Sequence, residues 1–349
     1  MEIKNFLVET SQAAGPSGYE SQVGEIFARY IRDYADEVST DALGNVVAVR
    51  RGAGPDSPKV MLAGHIDEIG LLITKIEDGG FLRFTRIGGI DQRTLLAQEV
   101  IVHGKQPLKG VIGAKPPHIQ EPGEAKKAVP MEELFIDTGL PKEKVERIVS
   151  VGDIATIART VVELQNDLIA GKAFDDRAGA AVILACFREL VRFKTNVSVY
   201  GVATVQEELG TRGARTSAYA IEPDLGIGID VTFADRDDLL EERSKLGKGP
   251  AIAIGPQVHP VVYQQMIQIA EKRGIPYQID PSPSPFGTDT APIQVSRGGT
   301  ASILISVPLR YMHTSVETLS LKDIEAAGRL LAEFIAGLDD QFVEGLSCF

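Results

Sequence analysis

The chain has 349 residues, of which 44% are hydrophobic and 24% charged, and its formal net charge at pH 7 is −12. This is the composition of an ordinary globular protein, and the length fits one large domain with an insert or two domains. The acidic balance disfavours nucleic acid and anionic membrane surfaces as main partners.

The cysteines and the N-terminus indicate a compartment. Cys186 lies in an apolar helical pattern and Cys348 is the next-to-last residue, so a disulfide framework is not expected. The first residues, "MEIKNFLVETSQAAG", lack the basic and apolar regions of a signal peptide, and no apolar run reaches the roughly 18 residues of a membrane span. We therefore expect a soluble cytoplasmic protein without a membrane partner.

The N-terminal part predicts two helices followed by two strands. Apolar residues recur at three- and four-residue spacing in "IKNFLVETSQAA" and "YESQVGEIFARYIRDYA", which the turn signal "GPSG" separates. The runs "NVVAVRRG" and "PKVMLAGHID" then favour strands. The second run is continuously apolar, which is typical of a strand buried on both faces of a sheet.

From about Gly70 to Thr160 the pattern changes to short β-type runs with many glycines and turns, such as "GLLITKI", "EVIVHG" and "KGVIGA". Helical periodicity is nearly absent apart from "MEEL" and "PKEKVERI". This segment predicts a small β-barrel-like module inserted into the chain. Within it, the polar and proline-rich stretch around Pro116–Pro130 is typical of a mobile loop, and we expect this loop to reach toward a neighbouring molecule.

After Asp175 helical and strand patterns alternate, which predicts a three-layer α/β domain. The helix "AGAAVILACFRELVRF" precedes the strand "VSVYGVATV", and "TASILISVPL" is the last long apolar run. The closing helix "SLKDIEAAGRLLAEFIAGL" has Ser320 as its expected N-cap. The alternation does not predict the order of the strands in the sheet.

Several common catalytic motifs are absent from the sequence. It has no GxSxG, HExxH or GxxxxGK[ST] segment, and "GIGID" carries too few of the glycines of a dinucleotide-binding fingerprint. A nucleotide cofactor is therefore not indicated.

Histidines and acidic residues instead follow the apolar runs. They are His65 and Asp67 in "AGHIDEIG", Asp175 and Asp176 in "KAFDDRAG", Glu207 and Glu208 in "VQEELG", Asp230 in "GIGID", and His313 in "YMHTSVE". The carboxyl ends of parallel strands meet at one edge of an α/β sheet, so these side chains are expected to converge.

Converging carboxylates in a crevice require a cation, because an unpaired buried carboxylate costs several kcal/mol or becomes protonated. Imidazole and carboxylate without thiolate fit Zn, Co or Mn. The set suffices for two divalent ions with one bridging aspartate, and such a pair would activate water and stabilise an oxyanion.

A plainer interpretation exists for each residue alone. An aspartate at a strand end usually serves a turn or a helix cap, and Asp175 or Asp176 would suit the helix that follows. We interpret His103, His118 and His259 as surface, loop and helix-start residues without a catalytic role. Repetition of the pattern at successive strand ends is what favours a metal site.

The same segments resemble the signature segments of the glutamyl/deblocking aminopeptidases, a family of dinuclear-metal exopeptidases of which some form tetrahedral dodecamers. The resemblance is carried by "AGHIDEIG", "KAFDDRAG", "VQEELGTRGA", "GIDVTFAD" and "RYMHTSVET" and extends over essentially the whole chain. It implies a three-layer αβα zinc-exopeptidase-like catalytic domain, made of residues 1–67 and 161–349, with an inserted β-barrel dimerisation domain at residues 68–160.

The resemblance also implies a role for each site residue. His65 and Asp230 would hold one metal ion, Glu208 and His313 the other, and Asp175 would bridge them. Glu207 would be the general base, Asp67 would orient the His65 imidazole, and Asp176 would support Asp175. Zn and Co are the expected metals, with two divalent ions per subunit.

The implied activity is removal of the N-terminal residue from short peptides by a homo-oligomer, with dimers assembling into a dodecamer. The preferred residue stays open, although the loops "SPSPFGTDTAP" and "VPLRYMH" are expected to line its pocket. Arg310 would pair with an acidic substrate side chain there or form a structural ion pair. The alternatives are a metal-dependent deacylase or carboxypeptidase, a glycan hydrolase of the endoglucanase type, and a non-enzymatic peptide-binding shell.

Overall fold

The computed structural model describes residues 1–115, 127–234 and 244–346. Most of the loop predicted around Pro116–Pro130, together with His118 and Cys348, lies outside these residues. Within them, no helix combines the length and the apolarity that a bilayer-spanning segment requires.

The first and last parts of the described chain build one large sheet with helices. The part between them consists mostly of strands that belong to a separate barrel. In chain order the strands are β1 (Glu37–Thr40), β2 (Val46–Arg50), β3 (Lys59–His65), β4 (Gly70–Ile76), β5 (Leu82–Ile87), β6 (Glu99–His103), β7 (Pro107–Gly113), β8 (Phe135–Asp137), β9 (Ile154–Ile157), β10 (Val162–Glu163), β11 (Leu168–Gly171), β12 (Ser198–Thr204), β13 (Leu225–Phe233), β14 (Ala251–Ile254), β15 (Gln278–Pro281), β16 (Ala301–Leu309) and β17 (Glu317–Ser320). The helices are α1 (Glu2–Gln12), α2 (Ser21–Ile31), α3 (Lys142–Val145), α4 (Phe174–Leu190), α5 (Arg212–Ile221), α6 (Pro260–Arg273), α7 (Thr290–Gln294), α8 (Leu321–Ala336) and α9 (Asp340–Glu344).

The large sheet has eight strands in the order β1-β2-β12-β3-β13-β16-β14-β15. Its centre is parallel, since β12 and β13 both run parallel to β3, and β16 runs parallel to β13. All of β16 is buried, as are the residues of β3 after Lys59, which agrees with the continuous apolar runs of the sequence.

Helices cover both faces of this sheet. Along β3, Val60 and Leu62 contribute to the core under α1, α2, α4, α6 and α8, whereas Met61 and Ala63 pack with α5 and α7. This alternation follows from the two-residue period of a strand. The closing helix α8 begins where the sequence predicts, with the Ser320 side chain accepting a hydrogen bond from the Lys322 N–H.

The inserted strands close into a barrel in the order β4-β5-β8-β7-β6-β9. The barrel has its own core, which includes Leu71, Val100 and Ile136 and is separate from the cores that flank the sheet. The predicted fold class, a three-layer αβα domain with an inserted small β-barrel, is therefore confirmed.

Some elements do not follow from the sequence pattern. β1 and β15 lie at the edges of the sheet and are largely exposed, so their residues lack a strong apolar signal. β10, β11 and β17 form a separate three-stranded sheet of short strands. The segment "MEEL", which reads as a helix, forms one 3₁₀ turn at Met131–Glu133.

Candidate metal centre

The parallel strands place the predicted site residues at one edge of the sheet. His65, the last residue of β3, is in register with Thr204, the last residue of β12, so Glu207 and Glu208 follow directly beside it. Asp230 lies on β13, which pairs with β3 on its other side. His313 follows β16, the strand next to β13.

Two clusters of potential metal ligands share one residue. His65, Asp175 and Asp230 form the first, and Asp175, Glu208 and His313 form the second, with one donor atom per residue lying within 4.8 Å of the others. The two carboxylate oxygens of Asp175 point to different clusters, because Oδ1 is 3.2 Å from His65 Nε2 and Oδ2 is 3.1 Å from His313 Nε2.

Glu207 stands beside the clusters without belonging to either. Its Oε2 lies 3.9 Å from His65 Nε2. It lines a cavity of about 460 Å³ together with Asp175, Glu208, Asp230 and His313. The carboxylate is thus placed next to the donor atoms and open to a bound molecule.

The buried carboxylates of the two clusters carry negative charge that nearby protein cations among the described residues do not balance. Burial raises the pKa of Glu207 to about 9, with Asp230 adding to the shift, and burial together with Asp175 raises that of Asp230 to about 8. Hydrogen bonds with Asp175 and Glu208 raise the pKa of His313 to about 11. Without metal, the site therefore binds extra protons to offset its own carboxylates.

A pair of divalent cations fits this donor set. Among the described residues that line the cavity there is no lysine or arginine to neutralise the carboxylates. Imidazole nitrogens and carboxylate oxygens without thiolate suit Zn, Co or Mn, and the shared Asp175 has one oxygen for each of two ions.

Asp67 connects the His65 segment with the glutamate pair. Its Oδ1 accepts the Glu207 N–H at 3.0 Å, and Oδ2 accepts the Glu208 N–H at 3.2 Å and the Ser17 hydroxyl at 2.6 Å. Asp67 Oδ1 is also 3.4 Å from His65 Nδ1, and its backbone oxygen is 3.2 Å from the same nitrogen. Asp67 thus touches both the imidazole and the backbone that carries the two glutamates.

Asp176 is fully buried behind the first cluster. Its carboxylate accepts the His65 N–H at 3.2 Å and the Gly179 N–H at 2.9 Å. It therefore links the end of β3 to α4 and caps the start of the regular part of that helix. The peptide bond between Asp175 and Asp176 is cis.

Glu317 is a site residue that the sequence reasoning missed. Its Oε2 accepts the N–H groups of Phe174 and Asp175 at 2.7 and 3.2 Å, and its Oε1 accepts the His313 N–H at 2.8 Å. It therefore holds the backbone of two ligand candidates from one buried carboxylate. The available signal was an acidic residue just after His313 in "RYMHTSVET".

Asp289 was missed as well. It lies in the loop "SPSPFGTDTAP", is buried, and accepts the Thr204 hydroxyl. Burial raises its pKa to about 6, and its charge contributes to the raised pKa values of Glu207 and Asp230.

His103 and His259, for which no catalytic role is expected, and Arg310 lie outside the two clusters. His103 is on the barrel, with Nε2 at 2.8 Å from Thr156 Oγ1, and His259 is a buried residue that precedes α6. Arg310 is not among the residues that line the cavity, and its backbone pairs with Thr318. The two loops expected to form a substrate pocket do reach the lining, through Gly287, Thr288 and Met312.

The fold and the donor set together define the class of zinc-exopeptidase-like hydrolases. The chain belongs to the M42 glutamyl aminopeptidase family, whose model matches residues 44–330. The resemblance of the signature segments is thereby confirmed, and the chain is an aminopeptidase of a metal-dependent family.

Individual relatives agree over nearly the full length. The chain is 37% identical over 325 residues to the lysyl aminopeptidase of Pyrococcus furiosus, covering 90% of this chain and 91% of the relative. A solved aminopeptidase from the archaeon Desulfurococcus kamchatkensis is 41% identical, with a TM-score of 0.92 and coverage of 99% and 98%. The TET1 peptidase of Pyrococcus horikoshii, described as able to assemble into a tetrahedron or a large octahedral shell, is 33% identical, with a TM-score of 0.84 and coverage of 96% and 100%.

Proposed function

We propose that this aminopeptidase uses two divalent metal ions to remove the N-terminal residue from short peptides. His65 and Asp230 would hold one ion and Glu208 and His313 the other, with Asp175 bridging. The observation that carries the proposal is the division of the Asp175 oxygens between the two clusters, at 3.2 Å from His65 and 3.1 Å from His313. Zn and Co are the metals we favour for this nitrogen and oxygen donor set.

When bound, two such ions supply positive charge that lowers the pKa of water and polarises the scissile carbonyl. Glu207 is the general base, because its carboxylate lines the cavity and belongs to neither ligand cluster. It removes a proton from the attacking water and later donates that proton to the leaving amine. Asp67 accepts a hydrogen bond from the Glu207 N–H and contacts the His65 imidazole, so it fixes the position of the base relative to the metal ligand.

The backbone contacts of the site preserve this arrangement. Glu317 holds the main chain at Asp175 and His313, and Asp176 holds the main chain at His65. A ligand side chain on a fixed backbone loses little entropy when it binds, which favours tight metal binding.

We further propose that residues 1–67 and 161–349 form the catalytic domain and that residues 68–160 form a dimerisation domain. Dimers would assemble into a dodecamer, since the related solved structure PhTET1-12s is described as a dodecamer and the TET1 peptidase of Pyrococcus horikoshii as a tetrahedron or an octahedral shell. A closed shell would admit only short or unfolded peptides. Cys186 is a buried free thiol, which suits the reducing cytoplasm that we propose as the compartment.

The residues that line the cavity bear on which N-terminal residue is preferred. The cavity wall offers Phe233, Met312 and the hydroxyls of Thr232 and Thr288. The relatives differ in the N-terminal residue that their names specify, since one is a lysyl aminopeptidase and the family is described as glutamyl aminopeptidase.

The test is release of free amino acid from a panel of aminoacyl anilides and unblocked peptides. Activity should disappear on chelation and return with Zn or Co, at two metal ions per chain. Full activity after complete metal removal would refute the two-metal proposal. Activity on N-acetylated but not free-amine substrates would indicate a deacylase, and chelator-resistant hydrolysis of a β-glucan would indicate a glycan hydrolase.

A further inference from the structure

The turn after β5 leaves the barrel and reaches the second ligand cluster. We propose that Gly89 in this turn is a positioning residue, whose carbonyl oxygen fixes the His313 imidazole for metal binding. The inference rests on the proposed role of His313 as a metal ligand. It makes the barrel a structural part of the metal centre in addition to its proposed part in dimerisation.

The hydrogen bond sets which nitrogen of His313 is available. Gly89 O lies 2.9 Å from Nδ1, and a carbonyl oxygen can only accept, so Nδ1 carries the proton. Nε2 of the same ring lies 2.9 Å from Glu208 Oε1 and 3.1 Å from Asp175 Oδ2. In the neutral imidazole the lone pair is then on Nε2, on the side of the other candidate ligands.

His313 needs support from outside its own segment. Its φ is 60°, in the left-handed region that non-glycine residues rarely adopt. Its side chain is 31% exposed, so hydrogen bonds contribute to the orientation of the ring in addition to packing. Its N–H donates to Glu317 Oε1 and its Nδ1 donates to Gly89 O, whereas Nε2 faces Asp175 and Glu208.

The close approach of the turn requires glycine. A Cβ at Gly89 would lie 2.8 Å from His313 Nδ1 and 2.9 Å from Cε1, closer than real Cβ contacts allow. At the preceding residue, Gly88, φ is +75° and a Cβ would lie 3.1 Å from Glu208 Oε2. A side chain at position 89 would therefore push the imidazole away from Glu208 and Asp175.

A second barrel residue braces the same segment. Gln98 Nε2 donates a hydrogen bond to Ser315 Oγ at 3.1 Å, two residues after His313. The barrel thus contacts the His313 segment both at the ring and just beyond it.

The test is a metal titration of Gly89→Ala, made without any activity measurement. Stripped wild type and variant are titrated with Zn²⁺ or Co²⁺ by calorimetry, and bound metal per chain is measured by mass spectrometry. We expect wild type to bind two ions. In Gly89→Ala the affinity of the cluster with His65 should be unchanged, and the affinity of the cluster with His313 should fall about 10–100-fold. Gly298→Ala is the control, because an added methyl there meets nothing within 4 Å and Gly298 is exposed.

Repeating the titration in two variant backgrounds shows which metal site loses affinity. With Asp230→Asn, which weakens the first cluster, Gly89→Ala should weaken the remaining site. With Glu208→Gln, which weakens the second cluster, Gly89→Ala should have no further effect. If Gly89→Ala weakens the His65 site equally, the positioning role is overturned.

The outcomes separate the two proposals. A wild type that binds fewer than two ions refutes the two-metal function itself. A wild type that binds two ions with an unchanged Gly89→Ala variant overturns only the role of Gly89. If circular dichroism shows that Gly89→Ala does not fold, Gln98→Ala is titrated instead. Weaker metal binding confined to the His313 site supports the inference, and unchanged affinities overturn it.

Discussion

Glu68 Oε2 lies 2.6 Å from Lys172 Nζ, and both residues are buried where the sheet domain meets the barrel. Glu68 precedes β4, the first barrel strand, and Lys172 follows β11, which the chain reaches after leaving the barrel. The fully buried Arg177 completes the group, with Nη2 3.1 Å from Glu68 Oε1. One carboxylate therefore compensates two cations at the junction.

Glu68→Gln should destabilise the protein strongly. It would leave Lys172 and Arg177 without their carboxylate in a buried position, which typically costs about 3–5 kcal/mol. The unfolding midpoint, followed by circular dichroism, measures the effect. Asp78→Asn is the matched control, because the Asp78–Lys142 pair, at 2.8 Å, is at the surface and its loss should leave the midpoint unchanged. Equal midpoints for the two variants would contradict the importance of the buried group.

Glu207→Gln should lower turnover by about 10²–10⁴-fold, because an amide cannot accept the proton of the attacking water. Metal content should stay at the wild-type value, since Glu207 belongs to neither ligand cluster. Steady-state kinetics with an aminoacyl anilide and metal analysis of the same sample check both statements. Glu208→Gln is the comparison, and should lose metal together with activity. A Glu207→Gln enzyme of wild-type turnover would exclude the general-base role.

Glu317→Gln should weaken metal binding although Glu317 is in neither ligand cluster. The amide keeps one acceptor oxygen, whereas the carboxylate serves the N–H groups of Phe174, Asp175 and His313. Loss of such a supporting contact commonly costs about 10–100-fold in metal affinity. Calorimetric titration measures it, with Glu325→Gln as control, because Glu325 is a half-buried α8 residue that pairs with Arg188 and contacts none of the ligand candidates. An affinity equal to that of the control would show that the backbone of the site needs no such support.

The metal-free protein should lose stability as pH rises from about 6.5 to 8. In the folded state the pKa values of Glu207, Asp230 and His313 are raised to about 9, 8 and 11, above the ordinary values of 4.5, 3.8 and 6.5. In this window the folded state binds more protons than the unfolded state, so unfolding becomes easier with rising pH.

Thermal unfolding by circular dichroism at several pH values, with and without chelator, checks this expectation. The metal-loaded protein should show a smaller decline, because the ions bind the deprotonated groups and replace the protons. The chain has no tryptophan, so a dichroism signal is preferable to intrinsic fluorescence. A chelated protein whose midpoint rises across this range would contradict the described electrostatics.

The long central elements could be predicted because local signals and tertiary burial agree in them. The continuous run of "PKVMLAGHID" and the helical period of "AGAAVILACFRELVRF" correspond to β3 and to most of α4. Short edge strands such as β1 and β15 could not be predicted, because their pairing comes from a neighbouring strand and not from their own composition.

For the site, the sequence was sufficient to select residues but not to arrange them. His65, Asp175, Glu207, Glu208 and His313 stand after apolar runs, and the rule that strand ends converge makes them candidates. Their individual roles stay predictions until metal binding and kinetics are measured. Glu317 and Asp289 carried no comparable signal, because a buried acidic residue and an exposed one look alike in a sequence.

The sequence by itself determined the class of the protein: an α/β chain with a β insert and with imidazoles and carboxylates at successive strand ends. Only the tertiary structure decided that Asp175 faces two histidines, that Glu317 holds the backbone of the site, and that Gly89 of the barrel reaches His313. The physical reason is distance along the chain. Periodicity reports the environment of each segment, whereas a hydrogen bond between residues 89 and 313 exists only once the sheet and the barrel are packed together.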